Sequence, residues 1–145
     1  MEIVSVAVSK KKGTRKKIVD EALLIQDHGI EGDAHAGPWH RQVSFLAAES
    51  IEKARSQGLE VTFGDFAENI ATAGIDWQKI PVGTQLRLGD SVRVEVTQIG
   101  KECHTRCAIY YMAGDCIMPK EGIFARVLEG GKIRPGDIIA IQGET

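Results

Sequence analysis

Ser91-Val92-Arg93-Val94-Glu95-Val96-Thr97-Gln98-Ile99 sets valines against charged or polar residues one for one. A period of two is that of a strand. It puts Val92, Val94 and Val96 on one face and Arg93, Glu95 and Thr97 on the other, so one side is buried and the other wet. Just upstream, Ile80-Pro81-Val82-Gly83-Thr84-Gln85-Leu86-Arg87-Leu88-Gly89-Asp90 reads as strand, turn and strand.

The same reading extends to both ends of the chain. Ile3-Val4-Ser5-Val6-Ala7-Val8 suits a strand buried largely on both faces. Phe124-Ala125-Arg126-Val127-Leu128 and Asp137-Ile138-Ile139-Ala140-Ile141 are two further strands, with Gly130-Gly131 and Arg134-Pro135-Gly136-Asp137 as the turns between them. Val43-Ser44-Phe45-Leu46 is a short strand that feeds a helix from Ala48 to Gln57, and Gly58 stops it. Residues 18 to 30 fit a helical turn or a strand equally, and residues 104 to 112 fit one or two helical turns. Many short strands, Gly-Asp turns and one convincing helix predict a mainly β (α+β) fold, a β-barrel or sandwich with few short helices. No linker or repeat divides residues 1–145, so a single domain is expected.

Composition narrows the function classes. With 43% hydrophobic and 26% charged residues the chain resembles an ordinary globular protein. A net charge of -2 argues against a wholly basic nucleic-acid binder. The basic run at residues 10 to 17 lacks interleaved aromatics and reads as a solvated loop. No stretch approaches the ~18 apolar residues of a membrane span, and the start lacks the pattern of a signal peptide. Three cysteines, an odd number, cluster within fourteen residues rather than spreading as a disulfide framework would. The expected setting is the reducing cytoplasm, where such thiols are free.

Four segments carry candidate chemistry. In Gly100-Lys101-Glu102-Cys103-His104-Thr105-Arg106-Cys107, which follows a strand, Lys101, His104 and Arg106 would lower a thiol pKa and favour the nucleophilic thiolate. An isolated cysteine is more often a small buried apolar residue, and Cys116 keeps that reading open. Cys103, His104, Cys107 and Cys116 also offer four soft ligands for structural zinc, although a second Cys pair at matching spacing is absent. In Gly29-Ile30-Glu31-Gly32-Asp33-Ala34-His35, followed by His40-Arg41-Gln42-Val43-Ser44, loop N–H groups and Arg41 suit an anion. His35 and His40 are donors or metal ligands, or satisfied structural histidines. Within Phe63-Gly64-Asp65-Phe66-Ala67-Glu68-Asn69-Ile70, Asn69 is a ligand-facing amide or a polar cap on a turn. In Gly114 to Val127, Lys120 and Arg126 are anion grips, or Arg126 simply lies on the polar face of a strand.

Taken together and in this order, the segments at 29–35, 40–44, 68–70, 100–104 and 114–127 resemble the short, stand-alone branch of the MOSC family, named for the C-terminal domain of molybdenum-cofactor sulfurases. The resemblance spans nearly the whole chain. It implies a MOSC-type β-barrel with few short helices, and binding of the molybdenum cofactor (molybdopterin). It also implies a cysteine that carries sulfane sulfur or ligates molybdenum. Gly-Lys-Glu-Cys matches one branch at Cys103, and Arg-Cys-Ala-Ile matches another at Cys107, so both stand as catalytic and metal-ligating candidates. The cofactor-binding candidates are Asp33, His35, His40, Arg41, Asn69, Lys101, His104, Arg106, Lys120 and Arg126. Arg41 and the loop at 29 to 37 are expected to line the same cleft as Cys103. Implied partners are a molybdopterin-type ligand and a cysteine desulfurase or a molybdoenzyme, with neither nucleic acid nor membrane. Two other readings remain: a small molybdenum-dependent oxidoreductase, and a non-catalytic zinc-binding or structural protein.

Overall fold

The computed structural model describes residues 1–11, 14–58, 60–100 and 122–142. The segment from 101 to 121, with all three cysteines, lies outside the described residues.

The alternating stretch forms β8 (Val92–Ile99), and its valines are buried as its period requires. It pairs with β9 (Ile123–Glu129), whose Ile123, Ala125 and Val127 face the same core. β9 pairs with β5 (Val43–Ala47), which runs parallel to β6 (Ile70–Ala73). Parallel strands need a crossover, and α1 (Ala48–Ser56) supplies it. Ala48, Ile51 and Ala54 recur every three residues and form one buried stripe of α1, with Ile51 and Ala54 in a cluster with Leu46, Phe66 and Phe124. Glu49 in the first turn and Lys53 and Arg55 in the last complement the helix dipole. Gly58, with φ of +98°, takes the left-handed turn past the helix end.

β1 (Glu2–Val8), β2 (Lys17–Val19), β7 (Gln85–Leu88) and β11 (Ile139–Ile141) complete an eight-stranded sheet in the order β11-β7-β8-β9-β5-β6-β1-β2. A second sheet orders β10 (Gly131–Ile133), β3 (Ala22–Ile25) and β4 (Gly29–Ile30).

The mainly β reading holds, with two corrections and one open segment settled. Among the described residues the large sheet does not close into a barrel: β1, inside the end strand β2, meets the segment before β11 at the opposite end only through one isolated bridge, Glu2 to Ile138, flanked by Ile3 N–H on Asp137 O at 2.8 Å and Ile139 N–H on Met1 O at 2.9 Å. Within residues 18 to 30, open between helical turn and strand in sequence, the structure gives the end of β2 and the strands β3 and β4, with Leu24 buried between β10 and β4 while neighbouring Leu23 is 37% exposed. Gly131 begins β10 rather than serving only as turn, and Ile80 to Thr84 is a turn after a short 3-10 helix (Trp77–Lys79). Among the described residues, no helix is long and apolar enough to cross a membrane.

Candidate cofactor-binding cleft

The Gly-rich loop is built rather than loose. Gly29 has φ of +122°, and a Cβ there would lie 2.5 Å from Gln42 O, so only glycine lets the two ends of the loop meet. Ala34 N–H donates to Ser9 O at 2.8 Å, and Gly37 N–H to His28 O at 2.7 Å.

Asp33 sits at the centre of this loop with a fully buried side chain. Oδ1 accepts from Lys16 Nζ at 2.8 Å and from Ser9 N–H at 3.0 Å, and Oδ2 accepts from His35 N–H at 3.0 Å. Burial opposes its ionisation. The His35 ring, the Lys16 ammonium and the Ser9 N–H outweigh that and hold the carboxyl well below the ordinary carboxylate range. Lys16 is equally buried and also donates to Ser9 Oγ at 2.9 Å. The expectation of a wholly solvated basic run is therefore wrong at Lys16: an ammonium enters the interior because a carboxylate waits there.

From Asp33 the loop carries its aromatic and basic side chains to one place. Trp39 Nε1–H donates to His35 O at 2.7 Å, and the two rings lie parallel with centroids 6.5 Å apart. His35 Nδ1, 3.7 Å from Asp33 Oδ2, is buried without a hydrogen-bond partner. The Arg41 guanidinium lies over Trp39, 5.2 Å from the ring centroid, and over Phe124 at 5.7 Å. Its Nε–H is buried and has no partner among the described residues. His40 Nε2 shares a hydrogen bond with Gln98 Oε1 at 2.8 Å, and Thr97 Oγ1 donates to His40 O.

An open cleft of about 360 Å³ lies here, lined by Asp27, Pro38, Trp39, His40, Gln42 and Arg126. Arg126 stands on the exposed face of β9, opposite Glu95 in register, and its Nε–H donates to Glu95 Oε1 at 2.9 Å. It thus lies on the polar face of a strand and in the cleft wall at once.

His40 and Arg126 therefore line one cleft, with Arg41 and His35 packed behind Trp39 and Asp33 fixing the loop from below. Asn69 is not among the lining residues. It is 1% exposed, and its Oδ1 accepts from Ser44 N–H at 3.0 Å and Ser44 Oγ at 3.1 Å. Its Nδ2 donates to Ala7 O at 3.1 Å. Lys101, Cys103, His104, Arg106, Cys107 and Lys120 lie outside the described residues, and so does the expectation that Cys103 shares the Arg41 cleft. What the fold places nearby is the strand end that leads into them: Gly100 N–H donates to Gly122 O at 2.6 Å, two residues past the Gln98 that meets His40. Among the described residues no three His, Cys, Asp or Glu side chains gather as a metal site would require.

Beside Asn69, Glu68 is also buried, with Oε2 accepting from Gly64 N–H at 2.6 Å and Oε1 from Phe66 N–H at 3.2 Å. Burial raises its pKa to about 7, against the pull of those N–H groups. The folded-state value exceeds the unfolded one, so this group's stability contribution is complete below pH 4.5 and is lost as pH rises through 7. Comparing urea unfolding at pH 5 and pH 8, we expect the wild type to lose about 3 kcal/mol from this group across that interval. Glu68→Gln should lose correspondingly less. Equal pH dependence in the two proteins would refute the assignment.

Sequence reasoning passed over Lys16, Asp27, Trp39 and Phe124. Trp39 carried a signal, a large aromatic inside a Gly/Pro-rich loop where no core exists for it locally. The other three carried none.

The profile of the MOSC domain matches residues 32–140. Among solved structures, the chain superposes on the YuaD protein from Bacillus subtilis with a TM-score of 0.78 at 16% identity, covering 95% of this chain and 93% of that one. It superposes on YiiM from Geobacillus stearothermophilus with a TM-score of 0.73 at 22% identity, over 97% and 74% of the two chains. For YiiM from Escherichia coli the values are 0.69 and 22%, over 100% and 71%. A sequence search of curated proteins returns no match. These likenesses define a mainly β protein of the MOSC fold. The profile match, which covers most of the chain, makes it a member of the MOSC domain family, a family associated with binding or sulfuration of the molybdenum cofactor.

Proposed function

We propose that the cleft between the Gly-rich loop and β9 binds a molybdopterin-type cofactor, and that the protein acts as a carrier or sulfuration module for it. The observation that carries this reading is Arg41. Its guanidinium is held between Trp39 and Phe124, beside the cleft, with Nε–H buried and unpartnered among the described residues. A buried donor without an acceptor costs about 1–3 kcal/mol. An anionic group brought to the guanidinium would offset that cost, and the phosphate of a pterin cofactor is such a group. The donor set fits: Arg126 and His40 line the cleft as donors with Trp39 as an apolar wall, and the Arg41 guanidinium stacks on that same Trp39. The chemistry such a group supplies when bound is molybdenum-centred transfer of oxygen or sulfur.

Cys103, with Cys107 as the second candidate, supplies the thiolate. It carries sulfur by attacking the outer sulfur of a donor persulfide, as on a cysteine desulfurase. One S–S bond forms at the acceptor cysteine, another breaks at the donor, and the donor leaves as a thiolate. Lys101, His104 and Arg106 beside it in sequence favour the attacking thiolate.

The test is expression in a host that makes molybdopterin, followed by metal and oxidised-pterin analysis of the purified protein. Incubation with a desulfurase and cysteine should then add one sulfur mass to the peptide containing Cys103, and Cys103→Ser should abolish it. A persulfide on Cys107 instead moves the residue and keeps the function. Absence of molybdenum, pterin and persulfide together would sink the reading.

A further inference from the structure

Asp27 occupies the tight turn between β3 and β4 with φ of +55°, a left-handed conformation that non-glycine residues adopt at a cost of about 1 kcal/mol. The turn is pinned from both sides: Asp27 N–H donates to Val127 O at 2.9 Å, and His28 N–H to Ile25 O at 3.1 Å. It therefore holds the Asp27 side chain at the wall of the cleft, on the same rim as Arg126 and Trp39. Among the described residues, the Asp27 carboxylate has no hydrogen-bond or ion-pair partner, and of the Arg126 guanidinium only Nε is engaged. The described lining thus presents an unpaired carboxylate and a partly engaged guanidinium to whatever enters it.

A ligand complementary to that pair carries an anion at one end and N–H donors at the other. We propose that Asp27 determines specificity in the cleft, its two carboxylate oxygens accepting the paired N–H donors of an aminopyrimidinone edge while Arg126 meets the anionic end. Carboxylates are acceptor-only and bind two parallel N–H groups well, which a ring N–H beside an exocyclic amino group provides. This inference rests on the cofactor-binding reading above, because the pterin head of such a cofactor carries that edge.

The probes are 6-carboxypterin and 6-carboxylumazine, which share the anionic group and differ in having an amino or a carbonyl group at the edge Asp27 would read. In fluorescence titrations of the full chain, wild type should prefer the pterin by about 10- to 100-fold, the range of a hydrogen bond to a charged group. Asp27→Asn keeps the side-chain shape and tolerates the left-handed backbone, and Asp27→Gly relieves it, so both should fold normally. Both should lose the preference. A wild type that binds the two probes equally or binds neither, or a preference that survives in both variants, would overturn the proposal. Equal pterin content in wild type and Asp27→Asn, both purified from a molybdopterin-making host, would also overturn it while leaving the cofactor-binding reading intact. Pterin missing from both would sink the two together.

Discussion

Asp33→Asn should destabilise the protein by about 3–5 kcal/mol, because it removes the carboxylate partner of a fully buried ion pair. The direct Coulomb attraction is only part of that effect. The larger part is the cost of an ammonium in a low-dielectric interior with its acceptor weakened. Thermal unfolding should fall by roughly 10 °C, as expected for a domain of this size. Lys16→Met/Asp33→Asn should recover much of the loss, since removing both charges removes the desolvation cost as well. The pH dependence follows from the depressed carboxyl. Its folded-state pKa lies below the unfolded value, so its contribution is present above the ordinary carboxylate range and is lost as pH falls through and below 3.8. Wild type should therefore lose more stability than Asp33→Asn as the solution is acidified below pH 4. A loss under 1 kcal/mol at pH 7, or no recovery in the double variant, would show that the pair does not hold the loop.

Asn69→Ala should cost about 3 kcal/mol and should act on folding. Asn69 bonds Ser44 of β5 and Ala7 of β1 at once. Alanine would leave the buried Ser44 N–H without this acceptor and Ala7 O without this donor, each worth about 1–3 kcal/mol. Measured below its own midpoint, the variant should bind pterin as wild type does, because Asn69 does not line the cleft. Urea midpoints and pterin content of the same preparations check both halves. Unchanged stability with lost pterin would return Asn69 to the ligand set and refute the scaffold assignment.

The two results concern residues whose identities were legible in sequence and whose settings were not. Asp33 was picked out with the Gly-rich loop, yet its partner Lys16 was hidden in a run of five lysines and one arginine that reads as solvated. Nothing in a basic run says which ammonium turns inward. That choice is made by a carboxylate seventeen residues away, once β1 and β2 pair and bring Ser9 and Lys16 beneath the loop. Asn69 was likewise visible as a polar residue at a turn. Its engagement by Ser44 depends on β5 and β6 running parallel, which no local pattern encodes.

By itself the sequence determined the mainly β class, the helix that Gly58 ends, the inward valines of β8 and membership of the MOSC family. Each follows from local periodicity, from turn chemistry, or from short motifs that keep their order along the chain. Only the tertiary structure decided that the large sheet stays open, that Asp33 and Asn69 hold the fold from within, and that Trp39, His40 and Arg126 share a cleft with Asp27. These are matters of long-range pairing: β9 brings Arg126 to a loop more than eighty residues earlier, and neither segment carries the address of the other.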